Sequence, residues 1–269
     1  MKSSITPKKS LGQNFLVHPR ILDKIVAAAE ITGKDAVLEI GPGTGNLTEK
    51  LAETLRQDSG QEAGKIIAVE KDRRLIENLK ERFKNRNVEI VEGDILKIKP
   101  DNLGLTANNY KIVGNIPYYI TSNLLRTLFE KWPRPELIVL TIQKEVAQRI
   151  TAKPPKMNLL AVSVQFFSEP EIIGYISKEN FRPRPKVDSA LLRIKLRGAQ
   201  QSKEFTEKFF KIVRAGFSQK RKLLISNLSK KMEIKKEELS EVFNKLRINE
   251  KSRAEELTLL TWMKINKNL

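Results

Sequence analysis

The sequence predicts an α/β fold with a mostly parallel sheet, followed by a small all-helical domain. Between residues 36 and 142, short apolar runs typical of buried strands alternate with segments whose apolar residues recur at helical spacing. This alternation indicates βαβ units and therefore parallel strands. From residue 197 onward only helical patterns follow, after a polar stretch that contains glycine and glutamine. We therefore expect two domains, at residues 1–196 and 197–269.

Five strands are expected in the first domain, and four of them end next to a glycine or a polar residue. Their positions are residues 36–40, 65–69, 88–91, 110–113 and 136–142. The helices are expected at residues 21–30, 47–55, 73–83, 122–129, 205–215, 221–229, 236–245 and 254–265. The carboxyl ends of parallel strands meet at one edge of the sheet, and ligands bind there. The residues that follow these strands are thus the candidates for a site.

The composition favours a polyanionic partner and excludes several kinds of chemistry. The 269 residues include 50 Lys and Arg against 32 Asp and Glu, a formal charge of +18. An excess of this size on a folded chain favours nucleic acid. The absence of cysteine excludes disulfides, thiolate zinc sites and cysteine nucleophiles, and with a single histidine we expect no metal site. No signal peptide or membrane-spanning run is recognised, so we expect a cytoplasmic protein without a membrane partner.

A glycine-rich loop follows the first predicted strand and precedes a helix. Its sequence is EIGPGTGN, at residues 39–46. Glycines let such a loop turn sharply and approach a ligand closely. A dinucleotide-binding loop would read G-x-G-x-x-G, with glycine at position 46, where this chain has asparagine. The G-x-G-x-G pattern with a preceding acid resembles instead the first motif of Rossmann-like class I methyltransferases. The candidate cofactor-binding residues here are Glu39, Gly41, Gly43 and Gly45.

Acidic residues end the next two predicted strands. Glu70 lies 25 positions after Gly45, where a carboxylate can accept hydrogen bonds from both ribose hydroxyls of a nucleoside. This placement suits NAD and S-adenosylmethionine equally. Asp94 follows Gly93 at the end of the third strand, where it could accept a hydrogen bond from an adenine amino group. Either acid alone is typical of an ordinary loop, but their order after the glycine loop favours a cofactor site.

The fourth predicted strand ends at a loop suited to holding an amino group. Its sequence is Asn115-Ile116-Pro117-Tyr118. The lone pair of the adenine exocyclic nitrogen is delocalised into the ring, so this nitrogen is a poor nucleophile. An amide oxygen and a backbone carbonyl that accept its hydrogen bonds would favour a pyramidal nitrogen, and transfer then needs orientation and electrostatics. Asn115 can supply the amide oxygen, Pro117 extends the backbone so that the Ile116 carbonyl can accept, and Tyr118 offers a stacking face.

Together these motifs resemble the ribosomal RNA adenine N6-methyltransferase superfamily. Within it, the chain resembles the small-subunit adenine N6,N6-dimethyltransferases, the kasugamycin-sensitivity enzymes. Besides the loops above, the matching segments are KSLGQNFL at residues 9–16, FRPRPKVDS at 181–189, RKLL at 221–224, NL at 227–228 and RAEEL at 253–257. The resemblance covers nearly the whole chain. The departures are Ile116, where the family often has leucine, and a polar insertion at residues 57–64.

The resemblance implies a cofactor, a substrate and further site residues. It implies that Asn14 and Leu16 contact S-adenosylmethionine, whose product is S-adenosylhomocysteine, and that Phe181 stacks on the target base opposite Tyr118. The implied substrate is a pair of adjacent adenosines in the 3′-terminal hairpin of small-subunit (16S) RNA, each receiving two methyl groups. The implied partner is an immature small subunit, with a role in its biogenesis, and we expect the enzyme to be a monomer.

Two clusters of basic residues are candidates for RNA binding. Arg182, Arg184 and Lys186 alternate with prolines beside Phe181, in a stiff loop suited to phosphate contacts. The second cluster, at Lys220, Arg221 and Lys222, is expected to begin a helix. For such a charge run, a solvated surface is the common alternative. The helical domain as a whole has 18 Lys and Arg against nine Asp and Glu.

Three other functions remain open from the sequence. A large-subunit RNA methyltransferase of the macrolide-resistance type shares nearly all the catalytic motifs, and the helical-domain segments argue against it. An NAD-dependent oxidoreductase is disfavoured by Asn46 and by the absence of a recognisable catalytic histidine, cysteine or Ser-Tyr-Lys set. A non-catalytic ribosome-assembly factor could retain the fold, although intact Asn115 and Tyr118 favour activity.

Overall fold

The computed structural model describes residues 6–56, 64–198 and 201–269. All of the predicted polar insertion except Gly64 therefore lies outside the described residues. The chain forms two compact units, one of Met1–Ala147 with Glu171–Leu196 and one of Gln148–Pro170 with Arg197–Leu269.

The first unit contains a seven-stranded sheet with helices in the connections between its parallel strands. The elements from the amino terminus to the sheet's last strand are β1 (Phe15–Leu16), α1 (Pro19–Ala28), β2 (Ala36–Ile40), α2 (Asn46–Arg56), β3 (Lys65–Glu70), α3 (Arg73–Arg82), β4 (Val88–Glu92), β5 (Tyr110–Asn115), α4 (Thr121–Glu130), β6 (Leu137–Gln143), α5 (Lys144–Ile150), α6 (Leu159–Phe167), β7 (Ser168–Ile176), β8 (Phe181–Arg182) and β9 (Ser189–Leu196). The sheet order is β4-β3-β2-β5-β6-β9-β7. The first five strands in this order pair in parallel, and β9 pairs antiparallel with β6.

The predicted fold class is confirmed, and the five predicted strands form the parallel part of the sheet. The central strands are apolar on both faces because helices cover both: Val37, Leu38, Ile66 and Ile67 are each 0% exposed. Strands β7 and β9 were not predicted. Strand β7 exposes every second side chain, so it lacks the continuous apolar run by which the central strands were recognised.

The second unit is helical and has its own apolar core. Its remaining helices are α7 (Lys203–Gly216), α8 (Leu224–Met232), α9 (Lys236–Lys245) and α10 (Leu259–Asn268). The rings of Phe166 and Phe209 stack with centroids 4.3 Å apart, and Trp262 is fully buried. Among the described residues, no helix is both long and apolar enough to cross a bilayer.

Most element boundaries differ from the sequence-based expectation by one or two residues, and three larger differences concern the helical unit. Gln148–Pro170 belongs to the helical unit and not to the first domain, because Ala161, Val162 and Phe166 of α6 lie in the same apolar cluster as the buried residues of α7. Helix α8 begins at Leu224, three residues later than expected, and Lys220–Lys222 form the turn before it. Residues 254–265 are divided between a 3-10 turn at Ala254–Glu256 and α10, which begins at Leu259.

Candidate active site

A cavity of about 890 Å³, its open mouth included, lies in the first unit at the carboxyl ends of β2, β3, β4 and β5. Its lining comes from the loops that follow these strands and from the segment before β1. The lining residues are Leu11, Gly12, Gln13, Asn14, Phe15, Ile40, Gly41, Gly43, Val69, Glu70, Lys71, Gly93, Asp94, Ile95, Leu96, Asn115, Ile116, Pro117, Tyr118, Tyr119 and Ile120.

Most of the catalytic and cofactor-binding residues predicted from the sequence meet at this cavity. The glycine loop, Glu70, Asp94 and the Asn115 loop all contribute to its lining, as does Asn14. Leu16 lines a smaller recess of about 330 Å³ that shares Phe15, Gly41 and Asn115 with the main cavity. The sheet register explains this convergence, since Ile40 is paired with Val69 on one side and with Gly114 on the other.

Three of the predicted catalytic and cofactor-binding residues do not line either space. Glu39 lies within β2 and is only 1% exposed. Gly45 has a φ of +81°, and a Cβ there would lie 2.9 Å from the Phe83 ring, so this glycine permits close packing of α3. Phe181 is 0% exposed and packs in the hydrophobic core. The structure therefore gives Phe181 no open face on which a base could stack.

Strand pairing joins two segments that are distant in the sequence, residues 9–16 and residues 181–189. Strand β1 pairs antiparallel with β8, so that Phe15 is opposite Arg182 and Leu16 is opposite Phe181. This pairing fixes the segment before β1 at the mouth of the cavity. Sequence reasoning did not predict it, because each strand is only two residues long.

The glycine loop is held by Glu70, the last residue of β3. The backbone N–H of Gly43 donates to Oε2 of Glu70 at 3.0 Å, and that of Asp72 donates to Oε1 at 2.8 Å. Burial raises the pKa of Glu70, while these backbone hydrogen bonds act in the opposite direction. Each carboxylate oxygen has a second lone pair, so the hydroxyls of a ribose can still be accepted. Glu70 thus shapes the loop and presents an acceptor to the cavity.

The segment before β1 is tied to the same edge by Gln13. Its Nε2 donates to Oδ2 of Asp72 at 2.8 Å, and Asp72 also forms an ion pair with Arg74 at 2.6 Å. The hydrogen bond from Arg74 holds the pKa of the almost fully buried Asp72 well below its usual range. Asp72 caps α3 as well, since its side chain accepts from the N–H of Arg74. The resemblance included Gln13 in a motif but did not indicate this role.

The amide of Asn115 is oriented by a backbone carbonyl. Its Nδ2 donates to the carbonyl oxygen of Asn14 at 2.8 Å. This bond uses the donor end of the amide, so Oδ1 is the end left to accept hydrogen bonds within the cavity. The N–H of Ile116 donates to the Thr141 carbonyl at 3.1 Å, which anchors the loop to β6. Pro117, with φ −55° and ψ 127°, then begins a 3-10 turn at Tyr118–Ile120.

Two tyrosines of this turn line the cavity in different environments. The hydroxyl of Tyr118 is 2.8 Å from Oγ of Ser189, a hydrogen bond in which either oxygen can donate. Burial raises the pKa of Tyr118, so the phenol stays neutral at physiological pH. Tyr119 is 59% exposed, and its ring lies 3.3 Å from where a Cβ of residue 12 would be. Gly12 therefore allows the amino-terminal segment to approach Tyr119 closely.

Asp94 is held by two donors at the end of β4. Nζ of Lys71 lies 2.9 Å from Oδ2, and the N–H of Leu96 donates to Oδ1 at 3.1 Å. Partial burial acts to raise the pKa of Asp94, but these hydrogen bonds outweigh it and the pKa is lowered. Lys71 lines the cavity and was missed by sequence reasoning, which selected only the acidic residue before it.

Glu39 is a buried acid whose carboxylate oxygens form no hydrogen bond of good geometry with the described residues, although the nearby Thr48 hydroxyl acts to lower its pKa. Burial raises the pKa of Glu39 to about 8, and the nearby Glu70 carboxylate adds to the rise. The protonated form therefore predominates at neutral pH in the folded protein.

The stability of the protein should depend on pH through Glu39. The folded pKa of about 8 is above the unfolded value of 4.5, so the folded state binds more protons between these values and its stability falls as pH rises. The loss over the window is at most about 5 kcal/mol. Glu39→Gln removes this titration. The unfolding free energy of the variant minus that of the wild type should therefore increase from pH 5 to pH 8.5. Urea unfolding at several pH values measures it, with the exposed Glu77→Gln as control. A pH-independent difference for Glu39→Gln would contradict the assignment.

The basic loop after β8 is exposed and partly fixed by its neighbours. Nη1 of Arg182 donates to the carbonyls of Glu179 and Phe181, at 3.0 and 2.9 Å. Arg184 pairs with the Glu179 carboxylate at 3.1 Å, and Lys186 is exposed. In the helical unit Lys220, Arg221 and Lys222 are all exposed, in the turn before α8. No group of three or more acidic or histidine side chains in the described part of the chain is placed to hold a metal ion.

Comparisons with known proteins agree with one another. The model of a family described as ribosomal RNA adenine dimethylase matches residues 5–269. A relative from Dehalococcoides mccartyi, named ribosomal RNA small subunit methyltransferase A, is 39% identical over 97% of this chain and 88% of its own length. Relatives of the same name from Halothermothrix orenii and Pelotomaculum thermopropionicum are 37% and 41% identical, over 96% and 85% of this chain and 86% and 79% of their own.

Two solved structures are similar over nearly their whole length. The 23S rRNA methyltransferase ErmE has a TM-score of 0.78 and 25% identity, covering 95% of this chain and 99% of that one. A dimethyladenosine transferase from Plasmodium falciparum has a TM-score of 0.75 and 28% identity, covering 94% and 98%.

Proposed function

The chain belongs to the ribosomal RNA adenine dimethylase family, and from this membership and the cavity we infer that it is an S-adenosylmethionine-dependent RNA methyltransferase. Its substrate is ribosomal RNA, and its target is the N6 amino group of adenine. We propose further that it dimethylates two adjacent adenosines in the 3′-terminal hairpin of small-subunit RNA. The observation that carries the chemistry is the oriented amide of Asn115, whose acceptor end is left for the cavity.

The cavity fits the cofactor in shape and in chemistry. Gly41 and Gly43 leave the loop after β2 without side chains on the cavity side, while Glu70 and Asp94 offer acceptors for ribose hydroxyls and for an adenine amino group. Apolar side chains such as Ile95 complete the lining. When bound, S-adenosylmethionine supplies an electrophilic methyl group on a sulfonium sulfur. Asn14 belongs to the same cofactor site in this proposal.

The residues of the chain act on the amino group and the base. In the first transfer, Oδ1 of Asn115 and the carbonyl of Ile116 accept the two N–H bonds of the target nitrogen, which turns its lone pair towards the methyl group. In the second transfer, one of these acceptors holds the N–H that remains. After each transfer the methylated nitrogen loses one proton to solvent. The orientation depends on the bonds that fix Asn115 to Asn14 and Ile116 to Thr141. Tyr118 offers its ring to the extruded base, and its hydroxyl is held by Ser189. No general base is required before transfer, because the nitrogen becomes nucleophilic through orientation.

The choice of the small subunit rests on the relatives and on the helical unit. The curated relatives at 37–41% identity are named for the small subunit, whereas the 23S enzyme is 25% identical. The helical unit carries the RKLL and RAEEL segments that resemble the small-subunit branch. In this proposal the enzyme acts as a monomer in the cytoplasm, on an immature small-subunit particle, and contributes to its biogenesis.

Methyl transfer to purified particles tests the proposed function. Labelled S-adenosylmethionine is offered with undermethylated small subunits, large subunits or free RNA, and the nucleosides are analysed by mass spectrometry. We expect N6,N6-dimethyladenosine in small subunits alone. Label in large-subunit RNA would move the chain to the macrolide-resistance branch. Cofactor binding without transfer to any particle would favour a non-catalytic assembly factor.

Binding to the particle should weaken with salt through the basic loop after β8. Each side chain that neutralises a phosphate adds about 0.7–0.9 to the slope of log affinity against log salt. The double variant Arg184→Gln with Lys186→Gln should therefore lower the slope by about 1 to 2. The control is Lys34→Gln with Lys131→Gln, two exposed lysines in the segments that lead into β2 and β6, at the opposite end of the strands from the cavity. Filter binding from about 50 to 300 mM salt measures both, and equal slopes in wild type and loop variant would exclude these phosphate contacts.

A further inference from the structure

We propose that Lys71 is a positioning residue that fixes the Asp94 carboxylate for the adenine amino group of the cofactor, and so sets the preference of the site for adenine. The inference rests on the proposed function, because it assumes that the cavity binds an adenosyl cofactor. It concerns a residue that neither the glycine loop nor the acidic residues of the site would indicate.

The contacts of Asp94 leave its carboxylate with one orientation. Nζ of Lys71 lies 2.9 Å from Oδ2, and the N–H of Leu96 donates to Oδ1 at 3.1 Å. Each oxygen thus has one donor and keeps one lone pair for a ligand. Lys71, Asp94 and Leu96 all line the cavity, so the pair is part of the site and not of a remote surface.

The pair acts on ligand selection more than on stability. The side chains of Lys71 and Asp94 are 50% and 23% exposed, and ion pairs in such positions contribute little to folding. A carboxylate that is fixed and ionised, however, distinguishes a donor from an acceptor. Adenine presents an amino group at position 6, whereas hypoxanthine presents a carbonyl oxygen, which a carboxylate repels. A site built to pair with one polar group rejects the analogue that cannot pair with it.

Without Lys71 the carboxylate loses one of its two restraints. The remaining hydrogen bond, from the N–H of Leu96 to Oδ1, does not prevent Oδ2 from turning towards solvent. Discrimination between adenine and hypoxanthine then falls, even where the cavity keeps its shape. Lys97 is the matched control, because it lies near Asp94 and carries the same charge but is exposed and forms no ion pair with it in the described part of the chain.

The experiment compares S-adenosylhomocysteine with S-inosylhomocysteine, in which a carbonyl replaces the amino group at position 6 and N1 carries a hydrogen. Calorimetry gives both affinities for the full-length wild type, for Lys71→Met, which keeps the aliphatic stem, and for Lys97→Met. We expect the preference for the adenosyl ligand to fall about tenfold in Lys71→Met and to stay within about twofold in Lys97→Met.

Equal losses for both ligands in Lys71→Met would overturn the inference, because Lys71 would then contribute packing alone. A fall of the same size in Lys97→Met would also overturn it, since general charge would explain the preference. If calorimetry detected no binding of S-adenosylhomocysteine to the wild type, the proposed function would fail, and the inference with it.

Discussion

Replacing Asn115 with alanine should slow methyl transfer by about 100- to 1,000-fold while leaving the affinity for S-adenosylhomocysteine within a few-fold of the wild type. Loss of one oriented acceptor or donor at a reacting centre has effects of this size. The amide oxygen of Asn115 is the group that meets the target nitrogen, so its removal lowers the rate of transfer. Single-turnover transfer to undermethylated small subunits measures the rate, and calorimetry measures cofactor affinity.

The Asn115→Asp variant separates the two ends of this amide. It keeps an oxygen acceptor but loses Nδ2, which donates to the Asn14 carbonyl at 2.8 Å. We expect it to transfer more slowly than the wild type and faster than Asn115→Ala, because the acceptor remains while its orientation is lost. Equal rates for wild type and Asn115→Ala would exclude the proposed role of the side chain. A large loss of cofactor affinity in Asn115→Ala would show instead that the bond to Asn14 is what the residue supplies.

Replacing Gly43 with alanine should reduce cofactor affinity at least about tenfold and destabilise the first unit by about 2–5 kcal/mol. Gly43 has a φ of +58°, and a Cβ there would lie 2.8 Å from the Phe15 ring. The left-handed backbone costs an alanine about 1–2 kcal/mol, and the overlap with Phe15 adds a cost of about 1–3 kcal/mol. Relief of that overlap would shift the loop or β1, and both line the cavity.

Gly104 provides a matched control for the backbone term. Its φ is +69°, but the nearest heavy atom to a methyl group at this position would be Nζ of Lys65, 3.9 Å away. Gly104→Ala should therefore cost about 1–2 kcal/mol of stability and leave cofactor affinity unchanged. Urea unfolding and calorimetry on both variants test the comparison. If the two substitutions lowered cofactor affinity equally, the close approach of Gly43 to Phe15 would not be the cause of the loss in Gly43→Ala.

The parallel sheet and its ligand edge could be predicted because they depend on local patterns. Buried strands produce continuous apolar runs, and strand ends are marked by Gly41, Glu70, Asp94 and Asn115. The sequence shows that a turn requires glycine, but it does not show whether the reason is a nearby ligand or close packing. The sequence does not distinguish Gly43, which borders the cavity, from Gly45, which packs against Phe83.

The rest of the site depends on contacts between residues far apart in the chain. Gln13 meets Asp72, and Lys71 meets Asp94, through pairings that no local pattern encodes. The burial of Phe181 has the same origin, since it follows from the pairing of β8 with β1 and from the core around it. The basic turn at residues 220–222 was misplaced into a helix because lysine and arginine are favourable in helices and give no signal of a turn.

The pairing of β1 with β8 also has a consequence for the order in which the protein matures during its synthesis. Leu16 emerges from the ribosome early, but its partner Phe181 is among the last residues of the first unit to be made. Until then the amino-terminal segment has no strand to join, and closing so long a loop is slow compared with forming the neighbouring βαβ units. A nascent chain that ends before residue 181 therefore has the five parallel strands of the sheet, but it lacks β9 and has an unfinished cavity mouth. The methyl-donor site is completed only near the end of translation of this unit.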